Sequence, residues 1–298
     1  MQQHYSAMER PGLDEAGLRA QLVAPSGPVS RLDVVQRTGS TNADLAEAAR
    51  LDVSGPGQAW PDFSVLTAEL QTEGRGRMGR SWEAPERSSL FVSVLLRPHG
   101  PQGRPLPTQS YGWLSLLAAL SLAEAVSRCT GVAARLKWPN DVMVDGRKLA
   151  GVLAQMVPGA GGNPPAVVVG AGMNVSLTDE DLPVPTATSL LMEYASTTDR
   201  NVLLGAYLND FAAAYAGFCA VDGDPQAPWA DGPGLLERLR ARMDTLGRQV
   251  RAELPDGGFL TGRAVGLDGH GALLVVDGQG ERHAVHAADV VHLRPVEP

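Results

Sequence analysis

At about Thr245 the hydrophobic pattern of this 298-residue chain changes its period, and that break limits the folds open to it. Before the break, apolar strands alternate with amphipathic helices. LDVV from Leu32 reads as a strand, and TNADLAEAAR as a helix with Thr41 and Asp44 at capping-box spacing. SVLTAE is a second strand, and LFVSVLL is apolar throughout, as a strand covered on both faces must be. WLSLLAALSLAEAVSR is a long buried helix closed by Gly131. ARLKW and DVMV follow as strands, the Asp145-Gly146 pair turns the chain into LAGVLAQM, and AVVVGAGMNV is another buried strand. Leu203, Tyr207, Phe211, Tyr215 and Phe218 recur at helical spacing, and LLERLRARM is a shorter helix. After the break come only short β runs: RQVRAEL, FLTGRAVGL, ALLVV, ERHAVH and DVVHL, the first four separated by Asp-Gly turns at Asp256, Asp268 and Asp277. Strands alternating with helices over residues 29–244 and a small SH3-like β-barrel over 245–298 are the architecture this pattern leads one to expect. Residues 1–28 carry one short amphipathic stretch (Leu13, Leu18, Leu22) and then APSGP, and read as a flexible arm.

Composition removes several functions. A net charge of −8 opposes a protein held to nucleic acid or anionic lipid by bulk charge. Too few residues precede the first motif to build a helix-turn-helix module, so DNA is not an expected partner. No apolar run reaches the ~18–20 residues of a membrane span, and the polar start MQQHYSAMERPGLDEAG is no signal peptide, so a cytoplasmic location is expected. Two cysteines, Cys129 and Cys219, exclude a disulfide framework and a Cys-rich zinc site. His283, His286 and His292 read as surface positions, because no acidic ligand set accompanies them in sequence. No histidine lies between His99 and His270, which excludes a Ser-His-Asp or Cys-His centre in the main domain.

Of 25 basic residues only Lys137 and Lys148 are lysines. Both lie in RLKWPNDVMVDGRKLAG, where Pro139 fixes the backbone and presents Asn140 and Asp141 at a strand end. Asp141 there suits Mg²⁺, a ribose or a cation, or else an ordinary Asx turn. Lys137, just before Trp138, reads as a snorkelling side chain with its stem on apolar surface. Lys148 follows the Asp-Gly turn and precedes Leu149-Ala150-Gly151, a narrow strand start suited to a point charge close to a ligand, or else it is a hairpin lysine facing water.

GRGRMG, Gly74 to Gly79, formally matches a dinucleotide fingerprint after a strand. RSWEAPERS follows it, however, where a helix N-terminus should meet the pyrophosphate, so the context fails. Arg75 and Arg77, two apart, would project to one side of an extended segment, and their forks suit a ligand with several anionic oxygens. A solvated basic loop is the competing reading. GAGMNV sets Asn174 at the end of a buried strand, where it needs partners, structural or otherwise.

Taken together, TGSTN (38–42), AELQTEGRGRMGRSW (68–82), KWPNDV (137–142), KLAGVL (148–153) and GAGMNV (170–175) resemble, in this order, the biotin–protein ligases. The similarity runs from about Leu32 to Pro295 and favours the monofunctional type, without an N-terminal DNA-binding domain. It implies an α+β fold for residues 29–244, a mixed β-sheet packed with helices and related to class II aminoacyl-tRNA synthetases. It also implies ATP and biotin as substrates with Mg²⁺, a biotinyl-5′-adenylate intermediate, and transfer to a biotin carboxyl carrier domain of acyl-CoA carboxylases. A monomer or weak homodimer, with neither DNA nor membrane as partner, is the matching expectation. By this resemblance Ser40, Thr41, Asn42, Gln71, Arg75, Gly76, Arg77, Lys148 and Gly151 bind biotin. Arg77, Met78, Arg80, Trp82, Asn140, Asp141, Asn174 and Arg294 face ATP, Asp141 also serving Mg²⁺, and Lys148 and Arg77 are catalytic. Met78 departs from the commoner GRGRRGR pattern by removing a third basic residue. A lipoate–protein ligase, with the same adenylate chemistry, is the alternative, although its Arg-Arg-x-x-Gly-Gly-Gly signature is missing.

Overall fold

The computed structural model describes residues 10–51, 60–159, 163–254, 257–287 and 292–295. Seven strands form the main sheet: β1 (Arg31–Val35), β2 (Ser64–Ala68), β3 (Ser89–Leu96), β4 (Arg135–Lys137), β5 (Asp141–Val144), β6 (Arg147–Val157) and β7 (Ala166–Asn174). Their order is β1-β2-β3-β7-β6-β5-β4, with β1 and β2 parallel and every other pair antiparallel, so the sheet is mixed.

Period-two alternation divides that sheet into two unlike faces. On β3, Leu90, Val92, Val94 and Leu96 enter the large core with Val167, Val169, Ala171 and Met173 of β7. This face is covered by α3 (Gly112–Thr130) and α4 (Arg200–Ala220), with α1 (Glu15–Leu22) against α4 and α5 (Leu235–Arg242) against α3. Among the described residues, the helix on the opposite face is α2 (Thr41–Leu51), packed through Leu45, Ala46 and Ala49 on Leu66, Leu95, Val157 and Val168. Ser93, Gly170 and Gly172 have the parity of that second face, and α2 leaves part of it uncovered. Gly131 ends α3 in the left-handed conformation the sequence anticipates, at φ 74°. By length and composition α4 could cross a membrane, yet its Leu203, Tyr207, Phe211 and Phe218 are buried in the core against α1, α3 and β3.

Beyond residue 244, β8 (Gln249–Glu253), β9 (Phe259–Leu267), β10 (Leu273–Asp277), β11 (Arg282–Val285) and β12 (His292–Pro295) form an antiparallel sheet in the order β11-β10-β9-β8-β12. Among the described residues the two edge strands do not pair, so the closed barrel expected from the sequence is not formed by these pairings. The sheet is fastened to the main domain by two indoles: Trp113 Nε1 donates to the Gly269 carbonyl (3.1 Å) and Trp138 Nε1 to that of Gly271 (3.0 Å).

Three local expectations need correction. Residues 10–28 do not hang loose: Leu18 and Leu22 are buried and the Arg10 side chain is only 6% exposed. The Thr41–Asp44 capping box does not form, because Asp44 accepts from the Thr38 hydroxyl and Thr41 turns toward Gln71. Acidic partners do reach His283: its Nε2 lies 2.8 Å from Asp277 Oδ2, with Glu281 alongside. Asp277 Oδ1 accepts from the Gln279 and Glu281 amides, so the trio serves the β10–β11 turn. Asp256, residues 289–291 and the side chain of His292 lie outside the described residues, as do residues 1–9 of the expected arm.

Candidate active site

The uncovered part of the sheet's second face is floored by glycines. A Cβ at Gly170 would collide with the Asn42 carboxamide, and one at Gly172 would stand 2.9 Å from the Trp82 ring. At Gly151 it would meet both Trp82 and the Lys148 ammonium at 3.0 Å. These positions need glycine because side chains from elsewhere lie directly on the backbone.

At one end of this floor stands a polar cluster built by the start of α2. Gln71 Oε1 accepts from the Thr41 amide (2.8 Å) and hydroxyl (3.0 Å), satisfying an orphan donor of the first helical turn. Ser93 Oγ, from β3, lies 2.8 Å from Thr41 Oγ1 and donates to Asn42 Oδ1 (2.6 Å). Asn42 Nδ2 donates to the Leu153 carbonyl at 3.0 Å, and Ser40 is buried beside it. Ser40, Thr41, Asn42 and Gln71 are thus brought together as expected. Ser93 was not singled out from the sequence; a serine in an otherwise apolar strand, on the face away from the main core, was its only signal.

The other end is charged. Lys148 Nζ lies 2.6 Å from Asp141 Oδ1 and 5.2 Å from the centre of the Trp82 ring. Trp82 Nε1 is buried with no hydrogen-bond partner among the described residues. The Gly/Arg loop is a small hairpin and not an extended segment: Trp82 N donates to Gly74 O (2.8 Å), Gly76 N to Arg80 O, and Arg77–Gly79 make a single 3₁₀ turn. Arg75 and Arg77 therefore part company. Arg75 is exposed, whereas Arg77 is half-buried and donates to Asn140 Oδ1 (3.3 Å) and to the Ala287 carbonyl of the C-terminal sheet. Burial pushes the Arg77 guanidinium below its ordinary pKa, with Asp141 opposing and Arg80 reinforcing the shift. Met78 is exposed and left-handed at φ 56°, so the residue that breaks the basic pattern points away from the packed part of the loop.

Asn140 Nδ2 donates to Val152 O (2.7 Å), fixing the turn after the cis Trp138–Pro139 bond. Asn174 is committed structurally at its amide, which donates to Thr188 O at 2.9 Å.

Lys137 is the clearest departure from expectation. It pairs with Asp141 across β4–β5, and burial pushes its ammonium below the ordinary lysine value. Asp141 raises it, while Lys148, Arg294 and Arg80 lower it, so all four charges lie within electrostatic reach. The half-buried Lys137 is thus electrostatically part of the charged end. Arg294, on β12, is near enough to contribute to that lowering.

Residues 36–174 match the Biotin/lipoate A/B protein ligase family, and residues 245–293 match the Biotin protein ligase C terminal domain. The chain is 40% identical over 289 residues to the biotin–[acetyl-CoA-carboxylase] ligase of Mycobacterium tuberculosis, covering 96% of this chain and 97% of that protein. It is 34% identical to the enzyme of the same name from Paracoccus denitrificans, covering 86% and 98%. The biotin protein ligase of Aquifex aeolicus, solved in complex with biotin and ATP, superimposes with a TM-score of 0.66 at 27% identity, covering 89% of this chain and 99% of that one. These relatives are named for biotin, which sets the lipoate alternative aside.

Proposed function

The chain belongs to the biotin protein ligases, and from that premise we propose how its cleft divides the work. It is a ligase that uses ATP to attach biotin through an amide bond. One observation carries the residue assignments: a neutral hydrogen-bonding cluster and a cation-rich cluster face each other across the same glycine floor. A ureido ring needs donors and acceptors without net charge, which suits Ser40, Thr41, Asn42, Gln71 and Ser93. A carboxylate meeting a triphosphate needs cations, which suits Lys148, Arg77, Lys137, Arg80 and Arg294, with Arg75 and Gly76 over the biotin carboxyl.

In the first step a biotin carboxylate oxygen bonds to the α-phosphorus of ATP, the bond to the bridging oxygen breaks, and pyrophosphate leaves. Lys148 and Arg77 neutralise charge on the carboxylate and the α-phosphate as the five-coordinate phosphorus forms. Lys148 presents a compact ammonium where a planar fork would be too wide, and Gly151 leaves room for it. Trp82, Asn140 and Asn174 lie on the nucleotide side, and the unpartnered Trp82 N–H is a donor for it. Met78 borders that side without a charge to offer. In the second step a carrier lysine amine attacks the acyl carbon, AMP leaves, and the amine loses a proton to solvent.

Asp141 is a single hard carboxylate already facing a cation, a donor that fits Mg²⁺ held chiefly by phosphates and water. Such an ion would shield phosphate charge when bound. The synthetase-like sheet and SH3-like barrel are part of the same proposal, supported by the mixed strand order and the five short antiparallel strands. So are a biotin carboxyl carrier domain as partner, a monomeric or weakly dimeric state, a cytoplasmic location, and neither DNA nor membrane binding. Biotin-dependent exchange of labelled pyrophosphate into ATP tests the reading. Exchange with biotin and none with lipoate is expected; exchange driven by lipoate alone would overturn it.

A further inference from the structure

Lys148 lies beyond the end of β7, where its strand loses its neighbour on that side. The irregular segment between β7 and α4 takes over. Lys148 N donates to Thr186 O (2.7 Å), and Lys148 O accepts from Thr188 N (2.8 Å). Both backbone groups of this lysine are therefore held by residues 186–188, which are themselves fixed by the Asn174 amide and by Glu193. The near end of the same segment is held by the N-terminal residues. Arg10 Nη2 donates to Ser176 O (3.2 Å) and to Asp181 Oδ2 (2.8 Å). Burial opposes ionisation of Asp181, yet bonds from Thr178 and Arg10 hold its carboxyl below the ordinary value.

Three further contacts show that residues 10–14 are clamped. Pro11 O accepts from Arg200 Nη2 (2.8 Å), and Asp14 N donates to Asn201 Oδ1 (2.7 Å). Leu13 N donates to Glu69 Oε1 (2.6 Å), one residue past β2 and two before Gln71. Glu69 and Arg200, 1% and 4% exposed, approach to 2.6 Å without hydrogen-bond alignment at Oε2, so their contact is coulombic. A buried charge left without its partner is costly, which makes the clamp stiff.

We propose that Arg10 is a positioning residue for adenylate formation. Through Asp181 and Ser176 it sets the segment that holds the Lys148 backbone, and so it places the ammonium without touching substrate. The inference rests on Lys148 acting in the first step. Biotin's head group is bound elsewhere, by side chains of α2 and β3, so rate and affinity should separate.

The test compares Arg10→Ala, Arg10→Lys and Asp181→Asn with the unaltered full chain and with Lys148→Arg. Single-turnover formation of biotinyl-adenylate at saturating biotin and ATP is read beside equilibrium affinity for biotin. Arg10→Ala and Asp181→Asn are expected to slow adenylate formation about 10- to 100-fold, the scale of an ångström-level misplacement. Biotin affinity should stay within about twofold, because uniform binding is untouched, and Arg10→Lys should recover most of the rate. Unchanged rates, or rate and affinity falling together, would overturn the proposal. Asp181→Asn keeps side-chain volume and carries the test if Arg10→Ala does not fold. A normal rate in Lys148→Arg would instead overturn the role of Lys148, whereas a slow Lys148→Arg beside a normal Arg10→Ala would remove the clasp alone.

Discussion

At the start of α2 the polar side chains are bonded to one another, whereas across the glycine floor several cations crowd around a carboxylate. Thr41, Asn42, Gln71 and Ser93 satisfy each other within a turn of helix and one strand. Arg77 instead reaches a carbonyl of the C-terminal sheet, and Lys148 a lone carboxylate. Buried neutral polar groups are cheapest when they satisfy one another, so the first cluster stands without a ligand. Clustered cations repel, and they gain most when a polyanion arrives. On the proposed assignment, one half of the cleft is ready-made and the other is completed by the reactants.

The largest way to break that contrast is Lys148→Arg. If the ammonium acts between closely spaced oxygens, single-turnover adenylate formation should fall ~10²-fold or more, the scale for losing one preorganised donor. A rate within a few-fold of the unaltered chain would place the chemistry elsewhere. Next comes Gly170→Ala. The added methyl must displace the Asn42 carboxamide, which holds bonds to Ser93 and Leu153, so the ready-made half is damaged and the charged half spared. The Michaelis constant for biotin should rise about tenfold or more, the cost of an unsatisfied buried polar group, with saturated adenylation nearly unchanged. A fall in the saturated rate alone would contradict the division.

A smaller effect sharpens the role of Lys137. Its pKa is held below that of an ordinary lysine, so its charge is lost earlier as pH rises. Apparent affinity for ATP should therefore weaken on the alkaline side. Lys137→Arg, charged throughout, should flatten that slope while costing far less rate than Lys148→Arg. An unchanged slope in Lys137→Arg would assign the dependence to another group.

What was legible in the sequence was local. The unbroken apolar run of β3 and the pairing of only two lysines with an Asp-Gly turn pointed to the buried sheet and to Lys148. The polar cluster came from the family resemblance carried by TGSTN and Gln71, not from the pattern itself, which suggested a capping box at Thr41 and Asp44. The charged surroundings of Lys137 are not legible locally, because they are set by β5, by the loop arginine Arg80 and by Arg294, more than 150 residues away. Arg10 and Asp181, 171 positions apart, leave no periodic trace, and their role emerges only once β7 ends short of Lys148. The hairpin in the Gly/Arg loop escaped notice for a related reason. Its closure depends on Trp82 folding back onto Gly74, not on spacing between arginines.

Amide hydrogen exchange with and without biotin plus ATP tests the contrast most directly. The loop is Gly-rich and polar, with few apolar contacts to resist opening, so Thr72–Ser81 should exchange fast in the free protein and slow strongly when both reactants are added. The amides of Thr41, bonded to Gln71, and Ser93, within β3, should be protected in both states. Equal protection of Thr72–Ser81 with and without reactants, or a ligand-dependent change confined to the α2 cluster, would contradict the account.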